Sequence, residues 1–154
     1  MNNEKERGDS TMKFYIASPF FNKEELTHVK DIEQVLQEGG HQMFSPRQNQ
    51  LPEFEFASFE WRTNVFRNDI NHIKWCDALI AILDDNYGDT GTAFEVGYAY
   101  AIGRPVYLYN PSGNIINLMI TDALHGYFES LDEIRAYDFE LAPAKPYMKK
   151  IKDV

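Results

Sequence analysis

"DALIAILDDNYGDTGTAFEVGYAYAIG" (Asp77–Gly103) decides how this chain folds. Ala78 to Leu83 is an uninterrupted apolar run, the pattern of a strand covered on both faces of its sheet. Polar, glycine-bearing residues follow from Asp84 to Gly91, and then a mainly apolar segment from Thr92 that stops at Gly103. Strand, glycine-bearing turn and helix in direct succession make half of a β-α-β unit, and such units build parallel sheets. The stretch also poses a chemical question, because Asp84, Asp85, Asp89 and Glu95 crowd its loop and the helix start. Thr92-Ala-Phe-Glu95 has capping-box spacing, in which Glu95 bonds back to the cap's backbone N–H. An ionised Glu95 in the first helical turn, favoured by the helix dipole, is equally well placed to attack a ligand.

Outward from this unit the alternation repeats. "KFYIAS" (Lys13–Ser18) is a β-branched and aromatic run ended by Pro19, hence a strand. Leu26, Val29, Ile32, Val35 and Leu36 then recur near helical spacing, between a capping box at Asn22 and Glu25 and a stop at Gly39–Gly40. "HQMFSP" (His41–Pro46) predicts a short strand, and the aperiodic "RQNQLPEFEFASFE" (Arg47–Glu60) a long loop. Trp61, Val65, Ile73 and Cys76 set out a helix, with Asp69 on the same stripe. After Gly103, "RPVYLYN" reads as a strand, "PSGN" as a turn and "IINLMITDALHGYF" (Ile115–Phe128) as a helix. "AYDF" (Ala136–Phe139) reads as a last short strand behind the capping box of "SLDEI".

These elements predict a flavodoxin-like α/β fold: an open, mostly parallel five-stranded sheet with helices on both faces. Residues 12–154 make one domain, and residues 1–11, "MNNEKERGDST", read as a disordered or appended extension. Ligands in such sheets sit beyond the carboxyl ends of the strands, which puts Ala17–Phe21, Asp84–Gly91 and Asn110–Asn117 on one rim.

The chain has 154 residues, 44% of them hydrophobic, which suits one soluble domain. A net charge of −9 argues against nucleic-acid and anionic-membrane partners and favours a small, weakly charged ligand. Cys76 is the single cysteine, which excludes a disulfide framework and suits a reducing cytoplasm. No apolar run approaches the roughly 20 residues of a membrane span. The four histidines show no metal-ligand spacing, so no metal is expected, and "GDTG" lacks the lysine and glycine pattern of a phosphate cradle.

Asp69 has two readings. A carboxylate on an apolar stripe costs several kcal/mol unless it is paired, and Arg62 or Arg67 is near enough in sequence to pair it. Unpaired, its pKa rises with burial and it becomes a proton donor. Asp89 reads either as a turn residue of "YGDTG" or as part of an acidic site. Carboxylates at one aromatic-rich rim, without a metal, suggest glycosyl chemistry, in which one carboxylate attacks and another carboxyl assists the leaving group. Phe20, Phe21 and Trp61 are the aromatics whose type and place suit stacking on a ligand ring.

"YIASPFF", "NDINHIKWCD", "GDTGTAFEVGYA" and "IINLMITDALHGYF", in that order, resemble the nucleoside 2-deoxyribosyltransferase family, and the likeness runs from Met12 to about Tyr147. The resemblance implies exchange of 2-deoxyribose between nucleobases without a cofactor. The partners it implies are 2′-deoxynucleosides and free bases, in a homo-oligomer, commonly a hexamer built from dimers, whose neighbours complete each site. It makes Glu95 the nucleophile of a covalent deoxyribosyl-enzyme, Asp69 the carboxyl that contacts the base and assists its departure, and Tyr15 the residue that positions the nucleophile. Asp89 becomes a further site aspartate, while Asn117 and Met119 of "INLM" become residues lent to a neighbouring site, the asparagine toward the sugar. No terminal tyrosine ends "YMKKIKDV", so the tail takes no role from the family.

Two rival functions fit the same fold. A deoxynucleoside 5′-monophosphate N-glycosidase needs a phosphate pocket, but "SPFF" offers Ser18 without an arginine or glycine beside it. A non-catalytic nucleotide-sensing module has no need of Glu95, Asp69 and Asp89 together.

Overall fold

A computed structural model describes residues 11–85 and 88–150 of the chain. The extension expected at the N-terminus lies almost wholly outside the described residues. The strands are β1 (Lys13–Ala17), β2 (Gln42–Phe44), β3 (Ala78–Ile82), β4 (Val106–Tyr109) and β5 (Gly126–Phe128). The helices are α1 (Lys23–Glu38), α2 (Phe59–Trp75), α3 (Thr90–Ala101), α4 (Leu118–Thr121) and α5 (Leu131–Ala136). The sheet has the order β2-β1-β3-β4-β5 and every pairing in it is parallel. This is the flavodoxin-like arrangement that the alternating pattern predicts.

Strand alternation splits the core into two layers. Phe14, Ile16, Ile80, Tyr107 and Phe128 point to one face, where α1 and α5 cover them with Val29, Ile32, Leu36 and Ile134. Tyr15, Ala17, Leu79, Ala81 and Leu108 point to the other, beneath Ile73 of α2 and Val96 and Ala99 of α3. The first layer is aliphatic and aromatic along its strands, with Tyr107 and Tyr109 among its rings. The second contains Tyr15, the one residue of β1 whose side chain carries a polar group into the core, on the face that holds the site.

Two elements differ from the sequence reading. The predicted helix Ile115–Phe128 shrinks to the single turn α4, and its last residues, Gly126–Phe128, form the edge strand β5. A three-residue apolar strand and the end of an apolar helix carry the same pattern, and burial on the sheet decides between them. Gly126 fits there because a Cβ would stand 2.6 Å from the Tyr107 ring. "AYDF" is not a strand: Ala136 ends α5, and Tyr137 and Phe139 fold back onto the Tyr107–Phe128 aromatic cluster. The capping box at Asn22 and Glu25 is formed as expected.

Candidate active site

Asp89, not Thr92, is the N-cap of α3. Its Oδ2 accepts from the backbone N–H of Thr92 at 2.8 Å and from the Thr92 hydroxyl at 2.9 Å. Two caps overlap in "DTGTAFE", and the earlier one prevails because aspartate accepts two hydrogen bonds there and the helix gains a turn. The capping box expected of Glu95 is therefore not formed. Glu95 falls in the second helical turn, where no orphan backbone N–H awaits it. Its carboxylate instead accepts a hydrogen bond from the Tyr15 hydroxyl, across the gap between α3 and β1.

Tyr15 is fully buried at the centre of β1. Its ring stacks on Phe44 at 5.6 Å, and Phe44 in turn lies 3.7 Å from the His72 ring. His72 is fixed by Nδ1, 2.7 Å from the Asn68 carbonyl. This column leaves Tyr15 no rotamer freedom, so the hydroxyl is aimed before any ligand arrives. Its pKa is pushed far above the ordinary phenol range, first by burial and then by the Glu95 and Asp69 carboxyls, so it stays a donor.

Asp69 of α2 faces Glu95 across a cavity of about 160 Å³ lined by Phe66, Ile70, Gly91 and Phe94. Burial pushes Asp69 up to about 7. Glu95 is pushed up to about 8, again chiefly by burial and further by Asp69 and Asp89, while the Tyr15 hydroxyl opposes the rise. Among the described residues no lysine, arginine or histidine forms an ion pair with either group. Arg62 and Arg67 do not relieve Asp69. Two carboxyls held at the border of ionisation near neutral pH, with one aimed donor, have the chemistry to give a proton and to attack an electrophile.

A second cavity, about 250 Å³, opens on the rim between Ser18, Phe21, His28, Asp84 and Asp89. Asp89 thus touches both spaces, lining this one and acting electrostatically on Glu95. Phe21 stands 80% exposed at its edge, and Phe20 stacks on Phe21 while packing against the α1 layer. Trp61 is held differently. Its indole N–H donates to the Gln50 carbonyl and its ring lies 4.8 Å from Phe56, eight residues, or roughly 12 Å of helix, before Asp69. Asn117 caps α4 by accepting from the Met119 N–H, and both residues are exposed. They line a third space, with Leu83, Ala93 and Ile116, rather than the cavity of Glu95 and Asp69.

Phe66 and Phe94, which the sequence reading passed over, flank the carboxyls with ring centroids 6.0 Å apart. Their signal was present: Phe66 precedes Asp69 by three residues and Phe94 adjoins Glu95. Among the described residues no cluster of His, Cys, Asp and Glu has a metal-binding arrangement.

Residues 14–130 match the family model described as nucleoside 2-deoxyribosyltransferase. A solved 2-deoxyribosyltransferase from Bacillus psychrosaccharolyticus is 60% identical, superposes with a TM-score of 0.86, and is covered over 99% of its length by 88% of this chain. The nucleoside deoxyribosyltransferase of Limosilactobacillus fermentum is 26% identical over 152 residues, spanning 88% of this chain and 90% of its own. A CMP N-glycosidase from Clostridium botulinum is 19% identical with a TM-score of 0.57 over 80% of this chain and 95% of its own, a likeness of fold alone.

Proposed function

The chain belongs to the nucleoside 2-deoxyribosyltransferase family, and from that premise we propose that it exchanges the base of a 2′-deoxynucleoside for another purine or pyrimidine base by two successive displacements at C1′. The single observation that carries the mechanism is the Tyr15–Glu95 hydrogen bond beside a protonatable Asp69. Tyr15 orients Glu95 and stabilises its anion. The carboxylate attacks C1′ as the glycosidic bond breaks, and Asp69 gives its proton to the departing base nitrogen. Without a 2′-hydroxyl to withdraw electrons, the oxocarbenium-like transition state forms at low cost. An incoming base then attacks C1′ on the face vacated by the first and returns a proton to Asp69, so configuration is retained overall.

The rim supports a substrate without phosphate. Asp84, Asp85 and Asp89 line its cavity, and no arginine or lysine is among the lining residues. Phe21 is placed to offer a ring face to the base. Assembly from several copies is also our reading, supported by exposed Asn117 and Met119 standing away from the cavity of Glu95. In an oligomer they serve a neighbour's substrate.

The test incubates the protein with 2′-deoxyinosine and either adenine or cytosine, beside deoxyinosine 5′-monophosphate and the Glu95→Ala variant. New deoxyadenosine or deoxycytidine, absent with the variant, is the expected result. Free sugar phosphate formed from the monophosphate alone makes the protein a hydrolase instead, and no reaction with either substrate leaves a binding module.

A further inference from the structure

Asn110 follows β4 on the rim and is completely buried, yet its hydrogen-bonding capacity is nearly filled. Its side-chain amide donates to the Asn114 carbonyl at 2.8 Å and to the Tyr127 hydroxyl at 3.0 Å. Its backbone carbonyl accepts from Gly113 N–H. Ser112 next to it donates to the Asp84 carbonyl at 2.7 Å, which ties the loop to the strand end before α3. The loop Pro111–Asn114 is therefore wound around one side chain, and three residues later it delivers Asn117.

The C-terminal tail clamps this loop from outside. Lys145 pairs with β5, its backbone bonded to His125 and Tyr127. Farther on, Tyr147 packs edge-on against Tyr127 at 4.7 Å. Lys149 then donates to the Gly113 carbonyl at 3.1 Å and pairs with Glu129 at 2.5 Å. The Tyr127 hydroxyl oxygen receives the Asn110 amide at 3.0 Å. The tail and β5 thus hold the loop at two points, Lys149 at the Gly113 carbonyl and Tyr127, packed against Tyr147, at the Asn110 amide.

We propose that Lys149 and Tyr127 are positioning residues for Asn117: the tail is a strap that fixes the Asn110–Asn114 loop and so sets where Asn117 is presented to substrate. The proposal rests on the transferase reading in which Asn117 serves the sugar. It gives the tail a task within its own chain.

Lys149→Met keeps the aliphatic stem and removes the ammonium, and Tyr127→Phe keeps the ring and removes the hydroxyl. Each is expected to lower kcat/KM for base exchange about three- to tenfold, chiefly through KM, the worth of one or two hydrogen bonds. Lys149→Arg restores most of it. In an Asn117→Ala background the loss disappears, because a residue acting through Asn117 has nothing left to position. Amide exchange at Gly113 and Met119 quickens in both variants. Equal losses with and without Asn117, or unchanged rate and exchange, overturn the proposal. A wild-type chain that makes no new nucleoside removes the functional reading instead, and the exchange rates alone then decide whether the strap holds the loop.

Discussion

Glu33 and Glu95 are both carboxylates tucked among the helices that cover the sheet, on opposite faces, and they are treated in opposite ways. Glu33 of α1 is 8% exposed and answered from every side. Ser45 donates to it at 2.8 Å, Arg47 reaches both oxygens at 3.0 and 2.5 Å, and Gln48 adds a bond at 3.3 Å. Glu95, with Asp69 beside it, receives one neutral hydroxyl and, among the described residues, no cation. A carboxylate that serves structure is neutralised, because leaving its charge unpaired costs several kcal/mol. In the proposed reaction Glu95 keeps that cost as reactivity. The Glu33 cluster pins the Pro46–Gln48 turn after β2, and the Glu95 cluster leaves a cavity.

Removing each glutamate separates the two roles most sharply. Glu95→Ala is expected to abolish base exchange, by about 10⁴-fold or more, with the fold intact. Glu33→Ala strands the Arg47 guanidinium and lowers unfolding stability by about 2–4 kcal/mol, read from urea titration, while the rate per folded molecule is kept. A Glu33 variant that lost exchange at full stability would dissolve the distinction.

Asp69→Asn comes next. Loss of the proton donor is expected to slow exchange about 10²-fold, most for bases that leave poorly. The pH profile carries more information than the rate. The proposed mechanism needs Glu95 ionised and Asp69 protonated. With Asp69 near 7 and Glu95 near 8 this is the minor of the two singly protonated forms, so kcat/KM follows a bell whose limbs near pH 7 and pH 8 belong to the pair. In Asp69→Asn the alkaline limb vanishes, and the limb that remains is that of Glu95 itself, somewhat below 8 because a neighbour that raised it is gone. An alkaline limb that survived the substitution would assign it to another group.

The same comparison explains how much was readable beforehand. The sheet and its order follow from apolar runs such as Ala78–Leu83, because burial on both faces writes itself into composition. Gly126–Phe128 did not, since three apolar residues carry no period and only the neighbouring Tyr107 decides their state. At the site, Asp69 stood out as a charge on an apolar stripe, and Glu95 was caught between two meanings. What separated them was the cap three residues earlier, a competition between Asp89 and Thr92 that spacing alone leaves level. Glu33 shows the reverse blindness. It sits on the buried side of α1 as Asp69 does on α2, and only the folded chain reveals that Arg47 returns to it.

The smallest effect is one of stability. Burial raises Glu95 from 4.5 to about 8, so in the intervening pH range the folded chain holds a proton that the unfolded chain has released. The associated stability is fully present below the unfolded value and is lost as pH rises through about 8. Glutamine at this position has no proton to lose. Glu95→Gln is therefore expected to leave Tm nearly unchanged at pH 4 and to raise it above the wild type at pH 9, by about 2–4 °C for each kcal/mol relieved. Glu33→Gln lowers Tm at both pH values, because it weakens an ion pair rather than relieving a stranded charge. If the two glutamine variants moved Tm alike at pH 9, Glu95 would be as well compensated as Glu33, and the strain assigned to the nucleophile would have no place in the fold.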